Sequence, residues 1–183
     1  MSSRWRDLAS WAGLAGVYGA AQGLSARAGQ RPVGQRRAGQ PGARRGPRDQ
    51  YQDFRPPSFA PPGPVFPVVW AGFTLTTATS AWRLWRVRRD ARAEVPHAQS
   101  ALAWWVLALV LRSGYVPLAF GARRYWAATA DSALLCAVML RYAAVARRAD
   151  PAAAALAGPE IAWTAFATVL STAISLQNTG QPA

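Results

Sequence analysis

Three ionisable residues stand within long apolar stretches of the chain: Arg112, Asp131 and Glu160. A charge near the centre of a bilayer is costly, so such a group is expected to face the interior of a helix bundle and to have a partner there. We therefore expect Arg112 to face inward and to contact Glu160 or, failing that, Asp131. Two interpretations stay open: a structural ion pair, or a guanidinium that meets a ligand carboxylate through a charge-assisted hydrogen bond. Asp131, five residues after Trp126, also fits a position near the membrane boundary.

Tryptophans form the second group of side chains with functional meaning. Trp70 and Trp163 lie well inside apolar stretches, where a flat ring system can stack on them. Five others fall toward the ends of such stretches, where indole rings sit among lipid headgroups. We expect the following to be interfacial anchors: Trp82, Trp85, Trp104, Trp105 and Trp126.

Composition narrows the classes of function. Half of the 183 residues are hydrophobic, yet the net charge is +13, and every one of the 21 basic residues is an arginine. These arginines lie mainly in the gaps between apolar stretches, a pattern typical of a membrane protein rather than of a nucleic-acid-binding surface. A single cysteine and a single histidine offer neither a disulfide framework nor a Cys/His metal site. We predict no catalytic residues, no metal, no required cofactor and no nucleic-acid partner.

The apolar stretches predict an all-α membrane protein, a five-transmembrane-helix bundle without a sheet, because a backbone in lipid must satisfy its own hydrogen bonds. The helices are predicted near residues 6–24, 64–86, 98–120, 125–147 and 152–177. Residues 1–24 form the N-terminal tail and first membrane helix, 25–55 an Arg/Gly/Pro-rich flexible loop, 56–178 helices two to five, and 179–183 a tail.

Local signals mark the ends and faces of these helices. The proline cluster between residues 56 and 67 predicts a stiff, extended collar before the second helix. Asp150 followed by Pro151 predicts the start of the last helix. In the first helix, glycines three apart predict a smooth strip for close approach of another helix: Gly13, Gly16 and Gly19.

The collar and the second helix carry a family resemblance. The matching residues are Pro57-Ser58-Phe59, Pro61-Pro62-Gly63, Val65-Phe66-Pro67, Trp70, Trp82 and Trp85. Together they resemble the tryptophan-rich sensory protein/translocator protein family, also called TspO/MBR or the peripheral benzodiazepine receptor family. Trp163, Phe166-Ala167, Leu170 and Asn178 resemble the end of the family signature on the last helix. This chain departs from the pattern with Arg112 at an Asn, Tyr115 at a Trp and Glu160 at a Tyr.

The resemblance implies five membrane helices around a pocket that binds porphyrins and, in mitochondrial members, cholesterol and synthetic ligands. Trp70 and Trp163 match the family's pocket tryptophans. The ligand-binding residues that we expect on this basis are Phe66, Trp70, Arg112, Tyr115, Trp163, Phe166 and Ala167.

The function expected from this resemblance is that of an integral, multi-pass membrane protein of the bacterial cell membrane. It would bind porphyrin-like (tetrapyrrole) or other hydrophobic small molecules as a sensor or carrier. Its expected partners are membrane lipids, the hydrophobic ligand and a second copy in a homodimer. Two alternatives stay open: an ion- or proton-coupled transporter that uses Arg112, Asp131 and Glu160 as a relay, and a ligand-free membrane assembly subunit.

Overall fold

The computed structural model describes residues 3–28, 31–32, 44–45, 57–91, 95–122 and 124–178, and nearly all of these are helical. The helices are α1 (Ser3–Ala28), α2 (Val65–Asp90), α3 (Pro96–Val116), α4 (Tyr125–Ala149), α5 (Pro151–Leu156) and α6 (Gly158–Asn178), with a π-helical turn at Pro117–Gly121 directly after α3. Helices α5 and α6 follow each other across Ala157 and together occupy the position of the fifth predicted helix. The five predicted helices are therefore present.

Two short strands, β1 (Arg31–Pro32) and β2 (Arg44–Arg45), pair antiparallel between α1 and α2. The described part of the bundle itself contains no strand, as predicted, because both strands lie in the connection between α1 and α2. Proline is tolerated in such an edge position because it need not donate to a ladder. Helix α1 also continues to Ala28, past its predicted end. The other residues of the predicted loop 25–55, and the tail 179–183, lie outside the described residues.

The collar is not extended as predicted. Its described part makes two tight turns, in which the Ala60 amide donates to the Pro57 carbonyl at 2.9 Å and the Val65 amide donates to the Pro62 carbonyl at 2.9 Å. Proline favours a turn as readily as an extended segment, because both accept its fixed φ angle. Helix α2 then begins at Val65, directly after Pro64.

Three stretches of the described chain are long and apolar enough to cross a membrane: Pro96–Phe120, Tyr125–Ala149 and Pro151–Gln177. Many large apolar side chains of the bundle point outward, as they do where the surrounding solvent is lipid. The most exposed of those on α2, α3 and α6 are Val68, Val110, Val169 and Leu176. The three stretches and the apolar outer surface indicate a multi-pass membrane protein.

The core of the bundle lies between α2, α3 and α4, with α1 and α5 closing it. Helices α1 to α4 contribute these large buried side chains: Tyr18, Phe73, Leu84, Trp105, Met139 and Tyr142. Helix α5 contributes the buried alanine Ala153. Trp105 is only 3% exposed, so its predicted role as an interfacial anchor is wrong. It lies on the face of α3 that also buries Ala101, Ala108 and Arg112, whereas Trp126, at 49% exposure, is placed as an anchor would be.

The glycine strip predicted on α1 faces open space among the described helices. A Cβ added at Gly13, Gly16 or Gly19 would meet no atom within 4 Å. The face of α1 that packs on the bundle instead carries Leu14 and Tyr18. Spacing showed that the glycines share a face, but larger side chains on another face bury more apolar area and decide which face turns inward.

Asp150 joins the start of α5 to the end of α2. Its carboxylate accepts hydrogen bonds from the amides of Ala152 and Ala153 at 2.9 and 3.1 Å, and from the Arg83 guanidinium at 2.8 and 3.2 Å. Burial alone would raise the pKa of Asp150, but the Arg83 side chain and the two amides hold the pKa below its ordinary value. The predicted helix start is confirmed.

We expect Asp150→Ala to lower the free energy of unfolding by about 1–2 kcal/mol, because the helix cap is lost. Asp150→Asn should cost less, since Asn also caps, and Asp90→Ala is the exposed control. Because the folded-state pKa is depressed, the stabilisation is present above the ordinary Asp pKa of about 3.9 and is lost as the pH falls through the lower folded-state value. Thermal midpoints in detergent measure this, and equal midpoints for Asp150→Ala and Asp90→Ala would contradict it.

Candidate functional site

A cavity of about 370 Å³ opens between the helices at the end of the bundle where α1 ends and α2 begins. Its walls come from α1, the collar, α2, α3 with the π turn, α4 and α6. Apolar and aromatic side chains dominate the lining: Gly63, Phe66, Pro67, Trp70, Tyr115, Val116, Ala119, Phe120, Tyr125, Ala128, Leu135, Trp163, Ala167, Leu170 and Ile174. Polar atoms enter through a smaller set: Gln22, Arg112, Ser132, Thr164 and Ser171.

The structure brings six of the seven sequence-predicted site residues to this cavity: Phe66, Trp70, Arg112, Tyr115, Trp163 and Ala167. Phe166 is not part of the lining. Its ring packs against Trp163, with centroids 5.5 Å apart, and against Phe59 of the collar at 6.3 Å. Phe166 directly precedes Ala167, and one residue is a rotation of about 100° around a helix. This rotation turns Phe166 toward Phe59 and lets it support Trp163 from outside the cavity.

The two cavity tryptophans belong to one aromatic cluster. Phe73, which is buried, lies edge-on between Trp70 at 5.6 Å and Trp163 at 6.3 Å. Phe66 meets Trp163 in a second edge-to-face contact at 5.7 Å. Such T-shaped pairs contribute about 0.5–1.5 kcal/mol beyond the area that they bury. The indole rings are therefore held in place by α2 and α6 together.

Arg112 and Glu160 form a fully buried ion pair at the cavity wall. The Arg112 Nη2 group donates to Glu160 Oε1, and the two side chains are 1% and 0% exposed. The other carboxylate oxygen, Oε2, accepts a 2.5 Å hydrogen bond from the Thr77 hydroxyl on α2. The prediction that Arg112 faces inward and contacts Glu160 is confirmed.

Tyr18 of α1 completes this cluster. The guanidinium carbon of Arg112 lies 4.4 Å from the centroid of the Tyr18 ring, a cation–π contact over the ring face. Two donors of the guanidinium, Nε and Nη1, are buried and have no hydrogen-bond partner among the described residues. Arg112 also belongs to the wall of the cavity, with a side chain that is only 1% exposed.

Asp131 takes no part in this pair. Its carboxylate packs against the backbone of α3 at Gly114, where an added Cβ would lie 3.1 Å from Oδ1. Its Oδ2 atom is buried without a hydrogen-bond partner in the described structure, and the residue does not line the cavity. Gly114 gives this carboxylate its room, because a side chain there would come closer to it than an ordinary van der Waals contact.

A stripe of hydroxyl groups along α6 was not predicted from the sequence. Tyr115 pairs with Ser171 at 2.7 Å, Ser132 with Thr168 at 3.2 Å, and Thr129 with Ser175 at 3.0 Å. The signal was present in the spacing of Ser and Thr along the helix, at steps of three and four residues: Thr164, Thr168, Ser171 and Ser175. Tyr18 and Thr77 were missed as well, because nothing local distinguishes them from other residues of their helices.

Metal chemistry finds no support in the part of the chain that the structure describes. No group of three or more His, Cys, Asp or Glu side chains lies close enough together there to hold a metal ion. The polar groups of the cavity lining are the Gln22 amide, three serine and threonine hydroxyl groups and the Arg112 guanidinium, set among aromatic and apolar surface.

We expect Arg112→Leu to destabilise the protein by about 3–5 kcal/mol, because it leaves Glu160 as a buried charge without its cationic partner. The double variant Arg112→Leu/Glu160→Leu should recover most of this loss, since no buried charge remains. Arg141→Leu is the control for the loss of an exposed arginine. Folded yield and thermal midpoint measure the effect, and a double variant no more stable than the single one would refute the pairing.

A comparison with protein-family models matches residues 33–177 of the chain to the TspO/MBR family. The match covers most of the chain and includes the collar and helices α2 to α5, together with nearly all of α6. It agrees with the helical bundle and with its long apolar stretches. The chain therefore belongs to the TspO/MBR family.

Proposed function

We propose that this membrane protein binds a flat, hydrophobic small molecule of the porphyrin-like (tetrapyrrole) class or similar to it. The ligand occupies the cavity between α1, α2, α3, α4 and α6, and the protein acts as a sensor or carrier of that molecule. The observation that carries the proposal is the position of Trp70 and Trp163 on one largely apolar cavity that also reaches a buried guanidinium. Binding sites for small molecules combine these features: apolar walls and a few fixed polar groups.

The size and the stiffness of the site support this proposal. A volume of about 370 Å³ falls in the range of about 300–1,000 Å³ that is usual for ligand sites. The edge-to-face contacts of Phe66 and Phe73 hold the two indoles before a ligand arrives, which reduces the entropy lost on binding.

The two alternatives fit the contacts less well. A charge relay would need Arg112, Glu160 and Asp131 to be linked, but Asp131 packs at Gly114 while Arg112 bonds to Glu160. A purely structural assembly subunit would have no use for a cavity beside a buried arginine. The homodimer implied by the family resemblance stays a prediction.

We further propose that all five helical units, including α1 and α2, span the bilayer. These two helices are less apolar than the other three because α1 is rich in Ala and Gly and α2 carries threonines and a run of arginines at its end. Each has 26 residues, enough for about 30 Å of hydrocarbon. Both pack against the core through Tyr18, Phe73 and Leu84.

An odd number of spans places the two termini on opposite sides of the membrane. In a Cys136→Ser background, Ser2→Cys and Gln181→Cys provide one label site at each end. A membrane-impermeant maleimide applied to sealed vesicles should label only one of the two variants, while both become labelled after permeabilisation. Labelling of both variants in sealed vesicles, or of neither, would rule out five spans.

Substitution of the cavity tryptophans tests ligand binding. We expect Trp70→Ala and Trp163→Ala each to weaken binding of a tetrapyrrole about tenfold or more, because each removes a stacking surface. Trp85→Ala is the matched control, since Trp85 is partly exposed near the end of α2 and contacts Arg88. Quenching of the remaining tryptophan fluorescence measures the affinities. Equal losses in all three variants, or no binding by the unaltered protein, would contradict the proposed function.

A further inference from the structure

The end of the bundle opposite the cavity carries most of the arginines whose side chains the structure describes. The start of α1 lies there beside α2, because Trp82 Nε1 donates to the Asp7 carbonyl at 3.1 Å. The last turns of α4 lie there as well, since the hydroxyls of Ser80 and Tyr142 pair at 2.6 Å. We call this surface the arginine end. Its arginines with described side chains are Arg6, Arg83, Arg86, Arg88, Arg89, Arg141, Arg147 and Arg148.

Carboxylates neutralise only part of the charge at the arginine end. Asp150 bonds to Arg83 at 2.8 Å. Asp7 and Asp90 both bond to Arg89, each at 2.8 Å. The remaining arginines have no carboxylate partner in the described part of the chain: Arg6, Arg86, Arg88, Arg141, Arg147 and Arg148. The arginine end therefore presents a net positive charge to its surroundings.

Tryptophan rings hold two of these guanidinium groups in place. The guanidinium carbon of Arg86 lies 4.9 Å from the ring centroid of Trp82, and that of Arg88 lies 5.5 Å from the ring centroid of Trp85. The Trp82 ring is itself fixed, because its Nε1 also donates to Ser10 Oγ at 3.2 Å. A cation–π contact orients a guanidinium over the ring face without using its N–H donors. Both arginines are exposed, so these donors can reach an oxyanion outside the protein.

The position of the arginine end indicates which oxyanion it meets. The indole rings of Trp82 and Trp85 lie near the end of α2, as tryptophans do at the depth of lipid headgroups. Leu8 of α1 and Leu140 of α4, each next to a charged residue of this end, are 58% and 53% exposed. A phospholipid matches both features, because its phosphate meets the guanidinium groups and its acyl chains cover the apolar surface. A free phosphate or an acidic soluble protein would leave these apolar side chains in water.

We propose that the arginine end binds the headgroups of anionic phospholipids, whose phosphates accept hydrogen bonds from Arg86 and Arg88. Trp82 and Trp85 hold the two guanidinium groups at headgroup depth. Anionic lipids are favoured over zwitterionic ones, because a choline group cancels the charge of its own phosphate and a glycerol group does not. The inference goes beyond the proposed ligand cavity, which lies at the other end of the bundle. It rests on the proposal that α2 spans the bilayer, which the maleimide labelling tests separately.

Native mass spectrometry of the detergent-solubilised protein tests this proposal, because it resolves the complex with one bound lipid. The probes are dioleoyl phosphatidylglycerol and dioleoyl phosphatidylcholine, which have the same chains and differ in headgroup charge. The measured quantity is the ratio of their association constants for the first bound lipid. We expect the unaltered protein to favour phosphatidylglycerol about tenfold or more, since each arginine near a membrane surface contributes about fivefold in affinity for anionic lipid.

Arg86→Gln/Arg88→Gln is the decisive variant, because it removes both guanidinium groups that stack on tryptophan. We expect it to lower the ratio about fivefold or more. Arg27→Gln/Arg124→Gln is the matched control: it removes two exposed arginines at the cavity end, with the same change in net charge, and should keep the ratio within about twofold. If the double variant does not fold, each single variant, Arg86→Gln or Arg88→Gln, should still lower the ratio, by about half as much on a logarithmic scale.

Three results would overturn the proposal. The first is equal affinity of the unaltered protein for the two lipids. The second is a ratio that falls no further in Arg86→Gln/Arg88→Gln than in the control. The third is displacement of phosphatidylglycerol by glycerol phosphate at equal concentration, since the site would then be one for free phosphate. None of these results bears on the tetrapyrrole cavity, whose test uses other variants and another probe.

Discussion

The arrangement of this bundle depends on one guanidinium that is removed from water. Taking an arginine into a membrane interior costs several kcal/mol unless its charge and donors are met. Arg112 of α3 meets Glu160 of α6, Glu160 meets Thr77 of α2, and the Tyr18 ring of α1 covers the guanidinium. Four helices contribute one side chain each to this cluster. A slide of any of them by one turn would remove a partner from a buried charged group, so the cluster sets the register of all four.

Polar contacts carry unusual weight in such a bundle, because lipid chains are as apolar as the helix surfaces and provide little drive for association. Hydroxyl pairs between α6 and its neighbours add neutral hydrogen bonds around the buried Arg112–Glu160 ion pair. Examples are Thr129 with Ser175 and Ser132 with Thr168. On the apolar side of the cavity, the aromatic contacts of Trp163 with Phe66 and Phe73 join α2 to α6. The cavity thus lies between two rigid groups, one aromatic and one polar, and this explains how it can stay open without collapsing onto Arg112.

Length, apolarity and the cost of a buried charge are enough to predict the helix positions, the start of the last helix at Asp150 and the pairing of Arg112 with Glu160. Prediction from the sequence failed where the outcome depends on which face of a helix turns inward. Trp105 lies near a helix end yet is buried, and the α1 glycines share a face yet a Cβ added to any of them would meet no described atom within 4 Å. Such choices depend on partners that are distant in sequence, and no local pattern contains them.

The central claim is that Arg112 is ionised, buried and held by Glu160 inside the bundle. The exchange of arginine side-chain hydrogens, followed by ¹H–¹⁵N NMR on ¹⁵N-arginine-labelled protein in nanodiscs, tests it most directly. Among the arginines that the structure describes with their side chains, Arg112 is the one that is buried. One guanidinium signal should therefore persist after transfer to D₂O while the exposed arginines exchange, and it should be absent from Arg112→Leu/Glu160→Leu. Exchange of the Arg112 signal as fast as that of the exposed arginines would contradict the claim.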